Sequence, residues 1–239
     1  MDDSDLFAAP HRPPCPSRPL LGLTILLVED SRYACEAMRL MCLRSGARLR
    51  RADCLKSARR HLQLYRPSVA VVDLGLPDGS GAGLIEELAK AAPRIGAILG
   101  TSGDDLAEGI ALAAGADGFL AKPVTSLADF QDRILSLLPE DRRSAVPCRL
   151  TDEVIRPDSI AYREDMAHIA DVLTKARDER VLDYVTQFAG GVAHSAGDYA
   201  LAEAARTLAR TRARGVPATA AAARLAGLVQ NRLDRREAI

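Results

Sequence analysis

The chain has 239 residues, with 32 Lys and Arg against 32 Asp and Glu, so its formal charge is zero. Hydrophobic residues make up 48% and charged residues 27%, which suits a globular chain with a real core; aromatics are only 4% and Trp is absent, so aliphatic and Ala packing must build it. Charge balance argues against a wholly basic nucleic-acid binder, and no apolar run approaches the roughly 18 residues that a bilayer span needs.

Residues 1–22 read as a flexible tail, because Pro10, Pro13, Pro14, Pro16 and Pro19 break up what little periodic hydrophobicity there is. Asp2, Asp3 and Asp5 stand where a secretory leader would carry base, so a cytoplasmic chain is expected. The five cysteines (Cys15, Cys35, Cys42, Cys54, Cys148) are odd in number and form no C-x-x-C, which fits reduced thiols better than a disulfide or zinc framework.

From Leu23 short apolar runs alternate with longer amphipathic stretches. Strands are expected at Thr24–Val28, Ala47–Arg50, Ser68–Val72, Ala97–Thr101 and Gly118–Ala121. Helices are expected between and after them, near Arg32–Arg44, Leu55–Leu64, Gly83–Ala92, Leu106–Ala114 and Leu127–Leu138. Strands that are apolar on both faces, separated by helical patterns, imply a parallel sheet covered on both sides. The expected fold is therefore α/β, a doubly wound five-stranded parallel sheet over residues 23–138. Residues 139–157, with Pro139, Pro147 and Pro157, read as a linker. Beyond them four amphipathic stretches, about 158–177, 178–195, 199–214 and 217–235, imply an all-α bundle over 158–239. Asp158 and Asp198 are candidate N-caps, and Gly197, Gly215 and Pro217 mark breaks.

Ligands of doubly wound sheets sit at the carboxyl ends of the strands. Here those ends carry Glu29-Asp30, Asp73, Thr101 and Lys122-Pro123. Three uncompensated carboxylates at close range raise one another's pKa, and a hard cation with oxygen ligands would relieve this. Mg²⁺ suits such a set, together with a backbone carbonyl, waters and a phosphoryl group. A carboxylate beside it can act as nucleophile towards phosphorus, while Lys and Thr hold the transferred oxygens.

The stretch I-L-L-V-E-D-S, then V-V-D-L-G-L-P-D-G-S-G, L-G-T-S-G-D-D and G-A-D-G-F-L-A-K-P, resembles the receiver domain of bacterial two-component response regulators in order and spacing. That resemblance implies a flavodoxin-like receiver in which Asp73 accepts the phosphoryl group. It further implies that Glu29, Asp30, Asp73 and the Gly75 carbonyl hold Mg²⁺. Thr101 would be the switch hydroxyl, Phe119 the ring that moves with it, and Lys122 the phosphate partner, with a cis bond to Pro123. The segment from Thr101 to Gly115 is a residue shorter than usual, so Ser102 competes with Thr101 for the switch role. The implied phosphodonor is a sensor histidine kinase or a phosphotransfer protein, and the chain is expected to be a signalling phosphoprotein, not an enzyme acting on other substrates.

The C-terminal half leaves three readings open. Phosphorylation could switch protein–protein interactions of the helical domain, with a homodimer as one form; this is the primary expectation. A DNA-binding transcriptional output could use residues 204–239, which hold 8 basic and 2 acidic groups (8 − 2 = +6), including Arg206, Arg210, Arg212 and Arg214. Such a run is more often a solvated helix end, and no helix-turn-helix pair accompanies it, so nucleic acid is not favoured. Finally, A-H-S-A-G-D-Y-A-L-A-E-A-A from Ala193 to Ala205 is similar in flavour to histidine phosphotransfer bundles, which would make His194 a phosphotransfer residue. The Lys expected after that His is missing.

Overall fold

The computed structural model describes residues 14–15, 17–104, 106–139, 153–175 and 179–234. Most of the expected tail and linker (residues 1–13, 16 and 140–152), with Cys148, lies outside the described residues. The elements run β1 (Thr24–Val28), α1 (Arg32–Ser45), β2 (Arg48–Ala52), α2 (Leu55–Leu64), β3 (Val69–Asp73), β4 (Gly75–Leu76), β5 (Gly79–Ser80) and α3 (Gly81–Lys90). They continue with β6 (Ala97–Ser102), α4 (Ala107–Ala113), β7 (Gly118–Ala121) and α5 (Leu127–Leu137). Four further helices follow: α6 (Ser159–Lys175), α7 (Glu179–Ala196), α8 (Tyr199–Ala213) and α9 (Thr219–Asp234).

The main sheet has five strands, all parallel, in the order β2-β1-β3-β6-β7. Side chains alternate between the faces of a strand, and here both faces are apolar. Ile25, Leu27, Val69, Val71 and Leu99 point to one core with Met38 and Met41 of α1 and Phe130 and Ile134 of α5. Their neighbours Leu26, Val28, Ala70, Val72 and Ile98 point to the other, against Leu84, Ile85, Ala107 and Ala111 of α3 and α4. Each buried Val, Leu or Ile contributes about 1.5–3 kcal/mol relative to exposure, so the central strands cannot slip register without losing two cores at once.

Turn chemistry fixes where the helices begin. Ser31, Ser80 and Ser126 each accept a backbone N–H of the following first turn through the hydroxyl, capping α1, α3 and α5. Gly46 closes α1 in the left-handed conformation at φ 82°, which costs glycine nothing.

Three features differ from the sequence expectation. The described end of the expected flexible tail is packed: Leu20 is buried in the α1/α5 core, and its N–H donates to Ser45 O at 2.9 Å. The loop after Asp73 contains a two-rung antiparallel hairpin, β4–β5, too short to show a period-2 pattern. The described end of the expected linker is packed down: Leu127 N–H donates to Glu153 O at 3.0 Å, Ile155 N–H donates to Thr125 O at 2.8 Å, and Ile155 is buried in the α1/α5 core.

The four C-terminal helices share a third core, built from Met166 and Ile169, Val185, Phe188 and Val192, Leu201 and Leu208, and Leu225 and Val229. Ala189, Ala193, Ala204 and Ala205 lie in the same core and let α7 and α8 approach closely. α6 packs on α7, α7 on α8, α8 on α9, and α9 closes back on α6. Asp158 bonds Ala161 N–H and Asp198 bonds Leu201 N–H, as the N-cap reading expects. The helices also touch the sheet domain, where α6 and α7 meet α1 and α7 meets β4.

Candidate functional site

Parallel pairing aligns the strand ends, so residues far apart in sequence arrive at one place. Asp73 on β3 pairs in register with Thr101 on β6, Thr101 pairs with Leu120 on β7, and β1 ends just before Glu29 and Asp30. One oxygen each from Glu29, Asp30 and Asp73 lies within 4.8 Å of the others. Lys122 Nζ sits 2.6 Å from Glu29 Oε2 and 3.2 Å from Asp73 Oδ1. The Glu29 carboxylate also accepts Ser31 N–H at 3.1 Å, and Gly75 N–H bonds Asp73.

The groups are sunk into the fold. Glu29 is 1% exposed, Asp73 6% and Lys122 9%. Burial lifts the Asp30 carboxyl to about 8, with the Glu29 charge adding to it. It lifts Asp73 to about 7, with Glu29 adding and the Lys122 ammonium pulling back. For Lys122 burial works towards neutrality, but the charges of Asp73 and Glu29 outweigh it and hold the ammonium protonated. Three carboxylates thus face one ammonium, and the arrangement stabilises added positive charge.

The donor set fits a hard divalent cation. Three carboxylate oxygens converge within reach of a single ion, Gly75 lines the same cleft, and no soft ligand is among them. Among the described residues, this is the group of acidic, His or Cys side chains that could hold a metal ion.

The two hydroxyls at the end of β6 are used differently. Thr101 Oγ1 donates to Leu120 O at 2.7 Å, whereas Ser102 Oγ accepts Asp104 N–H at 3.2 Å and lines the cleft with Asp73 and Lys122. Phe119 is buried in the α3/α4 core, with its ring against Gly100. The Lys122–Pro123 bond is cis. His194 is exposed near the end of α7, and its side chain lies beside Gly103 on the far wall of the cleft.

That far wall was not legible in the sequence. The cleft, of about 740 Å³, is closed on one side by Gln187, Gly191 and His194 of α7. Tyr184 OH donates to Asp30 Oδ2 at 2.7 Å. Asp165 of α6 accepts from Ser31 Oγ at 2.8 Å, Arg32 N–H at 2.8 Å and Tyr33 N–H at 3.0 Å. The one signal available was a carboxylate on an apolar stripe: Ala161, Asp165 and Ile169 recur every four residues, and all three are buried. Tyr184 offered no such mark.

Four of the eight basic residues of the 204–239 region form ion pairs among the described residues. Arg206 and Arg210 pair with Glu203, Arg212 with Asp183, and Arg232 with Asp198.

Comparison with known proteins adds the following. Residues 25–134 match the response regulator receiver domain family. The chain is 30% identical over 125 residues to the KDP operon transcriptional regulatory protein KdpE of Escherichia coli, a stretch that covers 52% of this chain and 54% of that protein. It is 31% identical over 125 residues to the probable transcriptional regulatory protein TcrX of Mycobacterium tuberculosis, covering 52% of each. The virulence transcriptional regulatory protein PhoP of Salmonella typhimurium is 28% identical over 102 residues, 42% of this chain and 46% of that one. The chain thus spans about half the length of the curated relatives it matches. Among solved structures, a putative response regulator from Chloroflexus aurantiacus is 25% identical with a TM-score of 0.45, covering 48% of this chain and 96% of that one. No described helix is long and apolar enough to cross a membrane.

Proposed function

Residues 25–134 are a response regulator receiver domain, and from that premise we propose that Asp73 is the phosphoacceptor of a two-component signalling chain. The observation that carries this is the meeting of Glu29, Asp30, Asp73 and Lys122 in one buried cleft at the strand ends. The donor is a phosphohistidine of a sensor kinase or of a phosphotransfer protein. An Asp73 oxygen attacks phosphorus, the P–O bond forms as the P–N bond breaks, and the released histidine nitrogen takes up a proton.

Glu29, Asp30, Asp73 and the Gly75 carbonyl are the residues to hold Mg²⁺, which when bound neutralises charge on the phosphoryl oxygens. Lys122 stands against Asp73 and serves the same oxygens after transfer. Ser102 lines the cleft as it is, while Thr101 would have to leave Leu120 to reach it. Burial of Asp73 slows attack by water on the acyl phosphate.

We take the chain as a receiver over 23–138, a connection over 139–157 and a helical domain over 158–239; the two sheet cores and the separate helical core support two units, with Leu20 and Ile155 also packed in a receiver core. We assign the helical domain to protein–protein interaction. Engagement of Arg206, Arg210, Arg212 and Arg232 in ion pairs reduces the basic charge open to a nucleic-acid backbone.

Acetyl phosphate with Mg²⁺ tests the reading. The expected result is one phosphoryl group per chain by intact mass, lost with Asp73→Asn. Undiminished labelling of Asp73→Asn overturns the assignment.

A further inference from the structure

α6 and α7 do more than pack beside the receiver: their polar side chains bond the segments that make the acid cleft. The β1–α1 junction is held from two sides. Ser31 Oγ accepts Ala34 N–H at 3.0 Å as the N-cap of α1, and the same hydroxyl donates to Asp165 at 2.8 Å. The Asp165 carboxylate, 1% exposed, also takes the Arg32 and Tyr33 N–H groups, so a residue from α6 satisfies the free donors that open α1. A carboxylate there also suits the positive end of the helix.

One residue before Ser31, the Tyr184 phenol donates to Asp30 Oδ2. His168 Nε2 lies 3.1 Å from the Tyr184 oxygen. Because the phenol proton is committed to Asp30, His168 is the donor in that contact. Opposite, the Gln187 amide fills the space that a side chain at Gly75 would occupy, and Gly191 backs onto Gly103. Three separate receiver segments, after β1, β3 and β6, are therefore covered by two helices of the other domain. A macromolecular phosphodonor approaching Asp73 from this side meets α7.

We propose that the C-terminal helical domain is a resident gate on the acid cleft, seated by Asp165 and latched by Tyr184, and that loading the cleft with a divalent cation and a phosphoryl group displaces it. The proposal rests on the reading of Asp73 as phosphoacceptor. An Asp30 oxygen that holds a phenol proton has less electron density to give a cation, and one that binds a cation holds the phenol less. The coupling is reciprocal: whatever binds better with the gate off shifts the population towards the open form. Opening uncovers Tyr184, half-buried against Asp30 while the gate is closed, for a partner.

Two measurements on the full chain decide it. Hydrogen exchange is followed with and without acetyl phosphate and Mg²⁺, with intact mass read on the same sample. With the phosphoryl mass present, the Arg32 and Tyr33 amides and the amides of α7 are expected to exchange about tenfold faster. Phosphoryl mass with unchanged protection overturns the gate and leaves the Asp73 assignment standing; absence of the mass overturns the assignment instead. Independently of any phosphodonor, Tyr184→Phe is expected to bind Mg²⁺ about fivefold tighter by calorimetry. Equal or weaker binding overturns the latch. Should that variant lose helix content by circular dichroism, the oxidised Gly103→Cys, Gly191→Cys double variant clamps the closed form in its place. It is expected to bind Mg²⁺ about fivefold more weakly until reduced, and unaltered affinity overturns the gate.

Discussion

Lys122 Nζ lies 2.6 Å from Glu29 Oε2, and neither side chain is more than 7% exposed. The pair joins the end of β7 to the end of β1 across the width of β3 and β6, and Asp73 completes it at 3.2 Å. Removing one member of a buried pair leaves the other charge uncompensated, at a cost of about 3–5 kcal/mol. Lys122→Met is therefore expected to unfold at lower urea in chelator. Added Mg²⁺ should restore more of its stability than it adds to the wild type, because the orphaned carboxylates then gain a cation. Equal Mg²⁺ increments in the two proteins would count against the cleft as a cation site.

Glycine decides the shape of the Asp73 loop. A Cβ at Gly81, the first residue of α3, would run into the Asp73 main-chain carbonyl, and backbone cannot step aside as a flexible side chain can. Gly81→Ala is expected to cost about 1–3 kcal/mol and to slow acetyl phosphate labelling, since Asp73 itself must shift. Gly83, two residues on in the same helix, meets nothing within 4 Å. Gly83→Ala should instead stabilise by about 0.5–1 kcal/mol, and thermal unfolding of the pair separates steric from helix-propensity effects.

The two hydroxyls of β6 can be told apart. Thr101→Val removes the bond to Leu120 O and should cost about 1 kcal/mol. Ser102→Ala loses a hydroxyl that already lines the cleft, so its labelling rate is expected to fall further than that of Thr101→Val. A larger fall in Thr101→Val would assign the phosphate contact to Thr101.

Asp198 gives the helical domain an acid-sensitive tie. Its carboxylate accepts Leu201 N–H at 3.1 Å, Tyr162 OH at 2.8 Å, and Arg232 Nε and Nη2 at 2.9 and 3.0 Å, tying α6, α8 and α9 together. Burial opposes its charge, but Arg232 and the hydrogen bonds win and hold it down at about 2, against an ordinary value of 3.8. A depressed folded value means that the stabilisation is fully present above the ordinary value and is lost as pH falls towards 2. Urea midpoints of wild type and Asp198→Asn should therefore converge between pH 4 and 2. At neutral pH, Asp198→Ala is expected to cost about 2–4 kcal/mol through the lost cap and the stranded Arg232.

The main-sheet strands, the helices and the acid cleft were legible in the residues alone. Apolar strands such as Val69–Asp73 and amphipathic stretches such as Leu55–Leu64 carry their period locally, although a helix makes its backbone bonds within itself while β3 makes its own to β1 and β6. Parallel connectivity then forces Glu29, Asp30, Asp73 and Lys122 to the same edge of the sheet, because every strand points the same way. The β4–β5 hairpin, with two rungs, and the docking of Ile155 on α1 and α5 had no period to read. That the helical domain covers the cleft follows from packing between distant segments. Asp165 meets Ser31 across 134 positions and Tyr184 meets Asp30 across 154. A hydrogen bond over that distance depends on how two finished surfaces fit, which no local spacing of residues encodes.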